Sequence, residues 1–331
     1  MKSGRPGSRY TPAAMDLASD DQQSAAGELE RDLRGGRFVV TAELSPPVAT
    51  DPTEFIDAAV ALRGVATAVN VTDGASAKAH LSALVAAHFL LQHRVEPILQ
   101  LTCRDRNRIA LQGDLLGAAA LGIRNVLVLR GDDPGAGDQP DAKPVFDLDA
   151  TSLLAMASRM QAEHRLPSGT AITGPVRLLL GAADTQIDPP PGWRAERLIA
   201  KADAGAAFIQ TQFCMDTAVV RRYAARLAEL GLAQRLPILI GVAPIPSARS
   251  ARWMKAKLYG TLIADDIVGR LERSPDPKRE GRRICVELIQ ELASIPGIAG
   301  AHVMAPQSHA AIAEVIAASG VKGKQRAPVS R

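Results

Sequence analysis

Residues 97–132 open with Pro97-Ile98-Leu99-Gln100-Leu101-Thr102 and close with Asn125-Val126-Leu127-Val128-Leu129-Arg130, stopped by Gly131-Asp132. Between them lies a helix-length segment in which Ile109, Leu111, Leu115, Leu116, Ala119 and Leu121 recur about once per turn, with Asp105 as its N-cap candidate. A β-rich run, an amphipathic helix and a second β-rich run make one βαβ unit, which closes as a parallel pair with a right-handed crossover. The unit repeats in both directions. Upstream stand Phe38-Val39-Val40-Thr41-Ala42-Glu43-Leu44, stopped by Pro46-Pro47, and Ala68-Val69-Asn70-Val71-Thr72, stopped by Asp73-Gly74. Downstream come runs at Val176–Gly181, Ala207–Gln212, Pro237–Gly241 and Ala301–Met304, with a helical segment from Leu198 to Ala204 ended by Gly205, which suits a left-handed C-cap. Eight such runs predict an α/β fold, a single (βα)8 barrel of the TIM type rather than a doubly wound sheet. Residues 1–27, rich in Ser, Gly, Asp and Gln, are expected to be a flexible extension; residues 28–320 form the barrel, and 321–331 a basic tail.

Composition narrows the function classes. The 331 residues are 47% hydrophobic but only 3% aromatic, so the core must be built from Ala, Leu, Val and Ile. No apolar run reaches the roughly 20 residues that span a bilayer, and Met1-Lys2-Ser3-Gly4-Arg5-Pro6 lacks the apolar stretch of a secretory signal. A cytoplasmic protein with neither membrane nor nucleic-acid partners is expected. The net charge is +4 with a pI of about 9.1, and part of the excess lies in Lys322-Gly323-Lys324-Gln325-Arg326, read as a solvated end. Cys103, Cys214 and Cys285 are far apart and form no CxxC, and His80, His88, His93, His164, His302 and His309 show no metal-ligand spacing; no metal is expected.

A barrel of this type keeps its chemistry at the carboxyl ends of the strands. Glu43 sits near such an end in an apolar run, on the same face as Thr41. Partial burial of a carboxyl group at a barrel mouth favours the neutral form that donates a proton, while an ion pair with an arginine of a neighbouring strand is the structural alternative. Arg130-Gly131-Asp132 puts a cation, a small residue and an anion on one sharp exit, either to meet a planar ligand or as an ordinary acidic turn. Gln212 can donate and accept at once, toward a heterocycle edge or toward a loop backbone. Lys201 falls on a predicted helix, where a surface lysine is the commonest explanation. No GxGxxG follows the first strand, so nothing supports a Rossmann dinucleotide fold or reveals a preference between NADH and NADPH.

Taken in order, these strand ends resemble the methylenetetrahydrofolate reductase family. Ala42-Glu43-Leu44-Ser45-Pro46-Pro47 is similar to its glutamate-and-diproline motif. Val71-Thr72-Asp73-Gly74-Ala75-Ser76-Ala77, Gln100-Leu101-Thr102-Cys103-Arg104-Asp105-Arg106-Asn107 and Ala120-Leu121-Gly122-Ile123-Arg124-Asn125 follow in sequence. Leu129-Arg130-Gly131-Asp132, Lys201-Ala202-Asp203-Ala204-Gly205-Ala206 and Thr211-Gln212-Phe213 complete a series spanning about residues 37–305.

The resemblance implies an FAD enzyme that reduces 5,10-methylenetetrahydrofolate to 5-methyltetrahydrofolate with NADH or NADPH, the flavin carrying the hydride. It implies Glu43 as proton donor to the folate nitrogen and Asp132 between flavin and folate, with Gln212 on the folate. It further implies that Thr72, Ala75, Gln100, Arg130, Gly131, Phe146, Asp184 and Lys201 hold FAD. Here Gln100 stands where a histidine is common, Phe146 where a tyrosine is, and Asp184 where many members carry tyrosine or asparagine. Gln307 and Ser308 occupy the stretch of an arginine near the folate tail. The Trp253-Met254 region replaces a stacking phenylalanine, and the Asp188-Pro189-Pro190-Pro191 loop is unusual. Three rival readings stay open: a related reductase without tightly bound flavin, a non-catalytic folate-binding barrel, and a lyase or aldolase with Lys201 as Schiff base. Homo-oligomerisation is left open.

Overall fold

The computed structural model describes residues 26–305 and 309–329. Eight parallel strands close on themselves: β1 (Val39–Leu44), β2 (Ala68–Val71), β3 (Pro97–Thr102), β4 (Asn125–Leu129), β5 (Leu179–Asp184), β6 (Phe208–Met215), β7 (Ile238–Val242) and β9 (Ile298–Val303). The closing contacts are β9 against β1 and β5 against β6, so no edge among these eight is left unpaired. A two-residue strand, β8 (Leu262–Ile263), pairs only with the far end of β6. The predicted (βα)8 barrel is present. Several details differ from the sequence reading. β5 begins at Leu179 rather than Val176, and the last strand begins at Ile298 rather than Ala301. The stretch before β9 holds extra helices instead of one simple crossover.

The helices follow strand by strand: α1 (Glu28–Arg34) precedes β1, then α2 (Thr53–Leu62), α3 (Ala83–Gln92), α4 (Arg108–Ala120), α5 (Ala150–Glu163), α6 (Glu196–Asp203), α7 (Thr217–Glu229) and the short α8 (Leu232–Arg235). After β7 come α9 (Ala248–Lys257), α10 (Asp265–Arg273) and α11 (Pro277–Leu292), and after β9 comes α12 (His309–Ser319). Helix α4 is capped by Asn107, not by Asp105: the Asn107 side chain accepts from the amides of Ile109 and Ala110, both at 3.1 Å. Asp105 instead receives the Arg104 guanidinium. Gly205 does end α6 as expected. With φ +104 it lets the Ala206 amide reach Lys201 O at 2.9 Å and its own amide reach Ala202 O at 3.1 Å, a Schellman closure.

The strand pleat separates two cores. Residues facing outward pack under the helices in one continuous apolar layer. Those facing inward at the amino end form a separate plug of Val39, Ala68, Ile98, Leu127, Phe208, Leu239 and Ala299, covered from below by Leu29 and Leu33 of α1. Glu96 holds α1 in place by accepting from the amides of Glu28 and Leu29 while Asn125 donates to it, which satisfies orphan donors at the helix start. The basic segment after α12 is exposed at Gly323, Lys324 and Gln325, but its backbone is tied down. Phe38 N–H donates to Lys324 O at 2.7 Å, Gly323 N–H to Phe38 O at 2.8 Å and Arg326 N–H to Gly36 O at 3.0 Å, strapping it beside α1. The predicted flexible residues 1–25 lie outside the described residues.

With so few aromatics, the plug depends on one ring. Phe208 is paired in register with Gly181 on β5, and a Cβ at Gly181 would overlap the ring. Gly181→Val is therefore expected to destabilise the barrel by about 1–3 kcal/mol through overpacking. Urea unfolding should show a lower midpoint with an unchanged slope; an unmoved midpoint would mean that the ring does not fill this space.

Candidate active site

Above the apolar plug the inward positions turn polar. Continuing the alternation from Val39, Ala68, Ile98 and Phe208 brings Thr41, Asn70, Gln100 and Gln210 to the interior, and His302 joins them from β9 opposite Thr41. All five are buried. Gln210 Nε2 donates to Thr41 Oγ1 and to Asn70 Oδ1, both at 3.0 Å, and Asn70 Nδ2 donates back to Gln210 Oε1 at 2.6 Å. Thr41, already accepting from Gln210, directs its own hydroxyl hydrogen to His302 Nδ1 at 2.9 Å. The donor count then leaves the imidazole proton on Nε2.

That Nε2 faces Glu43. It lies 3.5 Å from Glu43 Oε2, and Gln100 Nε2 donates to the same oxygen at 2.9 Å. Glu43 is 20% exposed, at the top of the polar layer and the floor of the mouth. Its partners are a histidine and an amide, not the arginine of the structural alternative. Both contacts converge on Oε2, and Oε1 makes no hydrogen bond to the described residues. The sequence reading missed His302, Gln210 and Asn70. Their signal was a polar residue with apolar neighbours inside a buried strand; His302 had been weighed only for metal spacing.

The β2–β4 side of the rim is tied together. Asp132, exposed at the β4 exit, accepts from the Ser76 amide at 3.0 Å. Gly74, Ser76 and Ala77 in that turn all have positive φ. Asp73 accepts from the Thr102 amide and hydroxyl at 2.8 Å each and pairs with Arg106, while Arg104 reaches Gly74 O at 3.1 Å. Gly131, at φ +89, lies against Thr102 and Arg104 so closely that a side chain would collide. Arg130 stacks on Phe146 at 4.3 Å, Thr72 donates to Ser45 at 3.0 Å, and Ala75 lies half-buried in the same turn. Thr72, Ala75, Arg130, Gly131, Asp132 and Phe146 are thus gathered in one sector.

On the opposite side, β6 carries a register shift between Gln210 and Phe213 against β7, where Thr211 Oγ1 accepts from the Gly241 amide at 3.0 Å. Such a bulge re-aims side chains. Gln212 there turns its Oε1 onto the Phe213 amide at 3.0 Å and stays partly exposed. Of the Trp253-Met254 pair on α9, Met254 is buried and Trp253 is 57% exposed, so Trp253 is the free ring. Gln307 and Ser308 lie outside the described residues.

Asp184 and Lys201 do something else. Gly181 faces the interior ring of Phe208, so the pleat puts Ala183 on the inner face and turns Asp184 toward α6. Lys201 is 6% exposed; its Nζ donates to Ala183 O at 2.7 Å and lies 3.1 Å from Asp184 Oδ1. Burial pulls the ammonium down from its ordinary range, and Asp184 opposes the shift. The ammonium is spent inside the protein. The Asp184–Lys201 pair, as placed, does not fit a flavin diphosphate, and neither does it present a free amine for a Schiff base.

A (βα)8 barrel with a carboxyl acid backed by a buried amide–imidazole network is the class that fold and site define. The chain belongs to the methylenetetrahydrofolate reductase family, whose family model matches residues 28–320. It is 26% identical over 248 residues to a probable methylenetetrahydrofolate reductase (NADPH) of Caenorhabditis elegans, covering 72% of this chain. It is 25% identical over 223 residues to methylenetetrahydrofolate reductase 2 of Schizosaccharomyces pombe, covering 66% of this chain. In both cases the match spans about a third (34%) of the relative's own length. Among solved structures, a Clostridium thermocellum protein described as binding two copies of 5-methyl-5,6,7,8-tetrahydrofolic acid shares the fold. Its TM-score is 0.59 at 12% identity, over 88% of this chain and 98% of that one. No helix among the described residues is long and apolar enough to cross a membrane.

The buried network is expected to behave as a unit. Gln210→Leu strands the Asn70 amide and removes a donor from Thr41, at about 1–3 kcal/mol for each group left unpartnered. Adding Asn70→Leu should return part of that loss, because both partners are then apolar. Chemical unfolding of the two single variants and the double variant measures this; additive losses would show the groups to be independent.

Proposed function

We propose that this barrel reduces 5,10-methylenetetrahydrofolate to 5-methyltetrahydrofolate with NAD(P)H as electron donor, acting on small molecules in the cytoplasm. The observation that carries the reading is Glu43 at the mouth, held through Oε2 by Gln100 and His302, while Oε1 makes no hydrogen bond to the described residues. The reaction needs a proton on the folate nitrogen that leaves the methylene carbon. The carbon–nitrogen bond then breaks, the methylene remains on the other nitrogen as an iminium, and hydride from NAD(P)H completes the methyl group. Glu43 supplies the proton from Oε1. The two donors on Oε2 orient the carboxyl group and stabilise the carboxylate that remains.

Family membership supports folate as the substrate. In this reading Asp132 and Gln212, on opposite sides of the mouth, bind the pterin edge, and Trp253 offers its exposed ring to the folate. FAD, which the resemblance implies, finds suitable groups for its ring at Thr72, Ala75, Arg130, Gly131 and Phe146. Gln100 is engaged with Glu43, and Lys201 with Asp184.

Glu43→Gln keeps the shape and the contact to Gln100 but removes the transferable proton. The rate of methylenetetrahydrofolate-dependent NAD(P)H oxidation is expected to fall about 10²- to 10⁴-fold, the usual share of general acid catalysis. Folate affinity and thermal stability should stay close to those of the parent protein. Full activity in the variant sinks the proton-donor role. Equal loss of stability and activity would make Glu43 a structural residue.

A further inference from the structure

The Asp184–Lys201 pair bears on how much of a flavin this barrel can hold, and the inference rests on the reading of the mouth as a flavin- and folate-binding site. Lys201 is the cation that the family resemblance points at the cofactor, yet its ammonium is turned to the helix side of β5. There Ala183 O and Asp184 Oδ1 satisfy it at 2.7 Å and 3.1 Å. Asp184 is as buried as the lysine, with its side chain 6% exposed. Among the described residues, the one further cation paired with it is Arg197, 3.5 Å from the same Oδ1 and 73% exposed. The Schellman closure at Gly205 fixes the last turn of α6, and a Cβ at Gly205 would press on Ser158, so the turn that carries Lys201 has little freedom to shift toward the mouth.

A diphosphate approaching this sector meets a lysine already neutralised and a carboxylate of its own sign behind it. Like charges a few ångströms apart in a partly desolvated site repel strongly. Removing Lys201 from Asp184 to serve the ligand would also leave the carboxylate buried without its main partner. On the β4 side, Arg130 remains near the mouth but is laid over Phe146, in the place of a ring contact more than of a phosphate clamp.

We infer that Asp184 is an internal counter-ion that disables the diphosphate subsite, so that this protein holds a flavin by its ring alone and does not discriminate FAD from riboflavin. Asp184 is then a specificity-determining residue for the cofactor, and its carboxylate takes the place that a ligand's diphosphate would need.

The test is a flavin titration of the full chain, with fluorescence quenching as readout and both FAD and riboflavin as probes. The parent protein should bind the two within about threefold of each other. Asp184→Asn, which keeps the side chain's size and an acceptor oxygen but removes the charge that neutralises the lysine, should tighten FAD about 10- to 100-fold and leave riboflavin unchanged. Adding Lys201→Met to the Asp184→Asn background should abolish the gain. Parent protein that prefers FAD more than tenfold and loses the preference with Lys201→Met overturns the inference. So does an Asp184→Asn variant that folds but gains nothing. The parent comparison needs no variant and stands if Asp184→Asn fails to fold. Folate-dependent NAD(P)H oxidation, assayed on the same preparations, separates the two readings. Activity with the inference overturned leaves the reductase assignment in place; absent activity with the flavin results as expected removes that assignment alone.

Discussion

The arrangement of the site depends on the hydrogen-bond network that fills the middle of the barrel. An apolar interior would close a barrel of this size equally well, as the plug around Phe208 does one layer lower. In its place the strands bury Thr41, Asn70, Gln210 and His302, joined to one another by hydrogen bonds within the layer. A partly satisfied network would be a liability in this low dielectric; a satisfied one has a single low-energy arrangement. That arrangement ends at one point, Glu43 Oε2. The carboxyl group is therefore placed by side chains of five β-strands and not by a loop, before any substrate arrives.

Much of this was legible in the sequence, and the limits have physical reasons. The barrel could be read because strand runs and helix spacing repeat, and because Pro46-Pro47, Gly74 and Gly131 stop strands by local conformational rules. Glu43 stood out as a charge in an apolar run at a strand end. Gln210 and Asn70 carry the same signal, but a polar residue gains meaning only when its partner is known, and the partners lie up to 169 residues apart. The Asn107 cap was misassigned to Asp105 because both residue types cap helices and only the position of the first helical amides separates them.

Asp184 shows a deeper limit. Its place at the end of β5 was readable, and so was that of Lys201 on the next helix. The run read at Val176–Gly181 lies three residues later at both ends, as Leu179–Asp184, and the pleat decides which side the aspartate takes. On the inner face it would line the mouth; on the outer face it neutralises a lysine. Alternation within a fully buried strand leaves no hydrophobic pattern to reveal that choice, because both faces are apolar.

The two halves of the rim are consequently built on different physics. On the β2–β4 side the loops are tied to each other and to strand ends through Asp73, Arg104, Arg106 and Asp132, and left-handed residues at Gly74, Ser76, Ala77 and Gly131 fix the turns. Such a rim is organised before a ligand binds, and a flat ring laid there needs little loop ordering. On the β5–β7 side the bulge at Gln212 leaves a partly exposed amide, and exposed Trp253 has no described partner ring. Ordering these groups falls to the ligand. In the proposed reading the rigid half would take whatever delivers the hydride equivalent, and the adaptable half a substrate that must bind, react at one carbon and leave. Glu43 lies beneath both, fixed by strands that neither half can move.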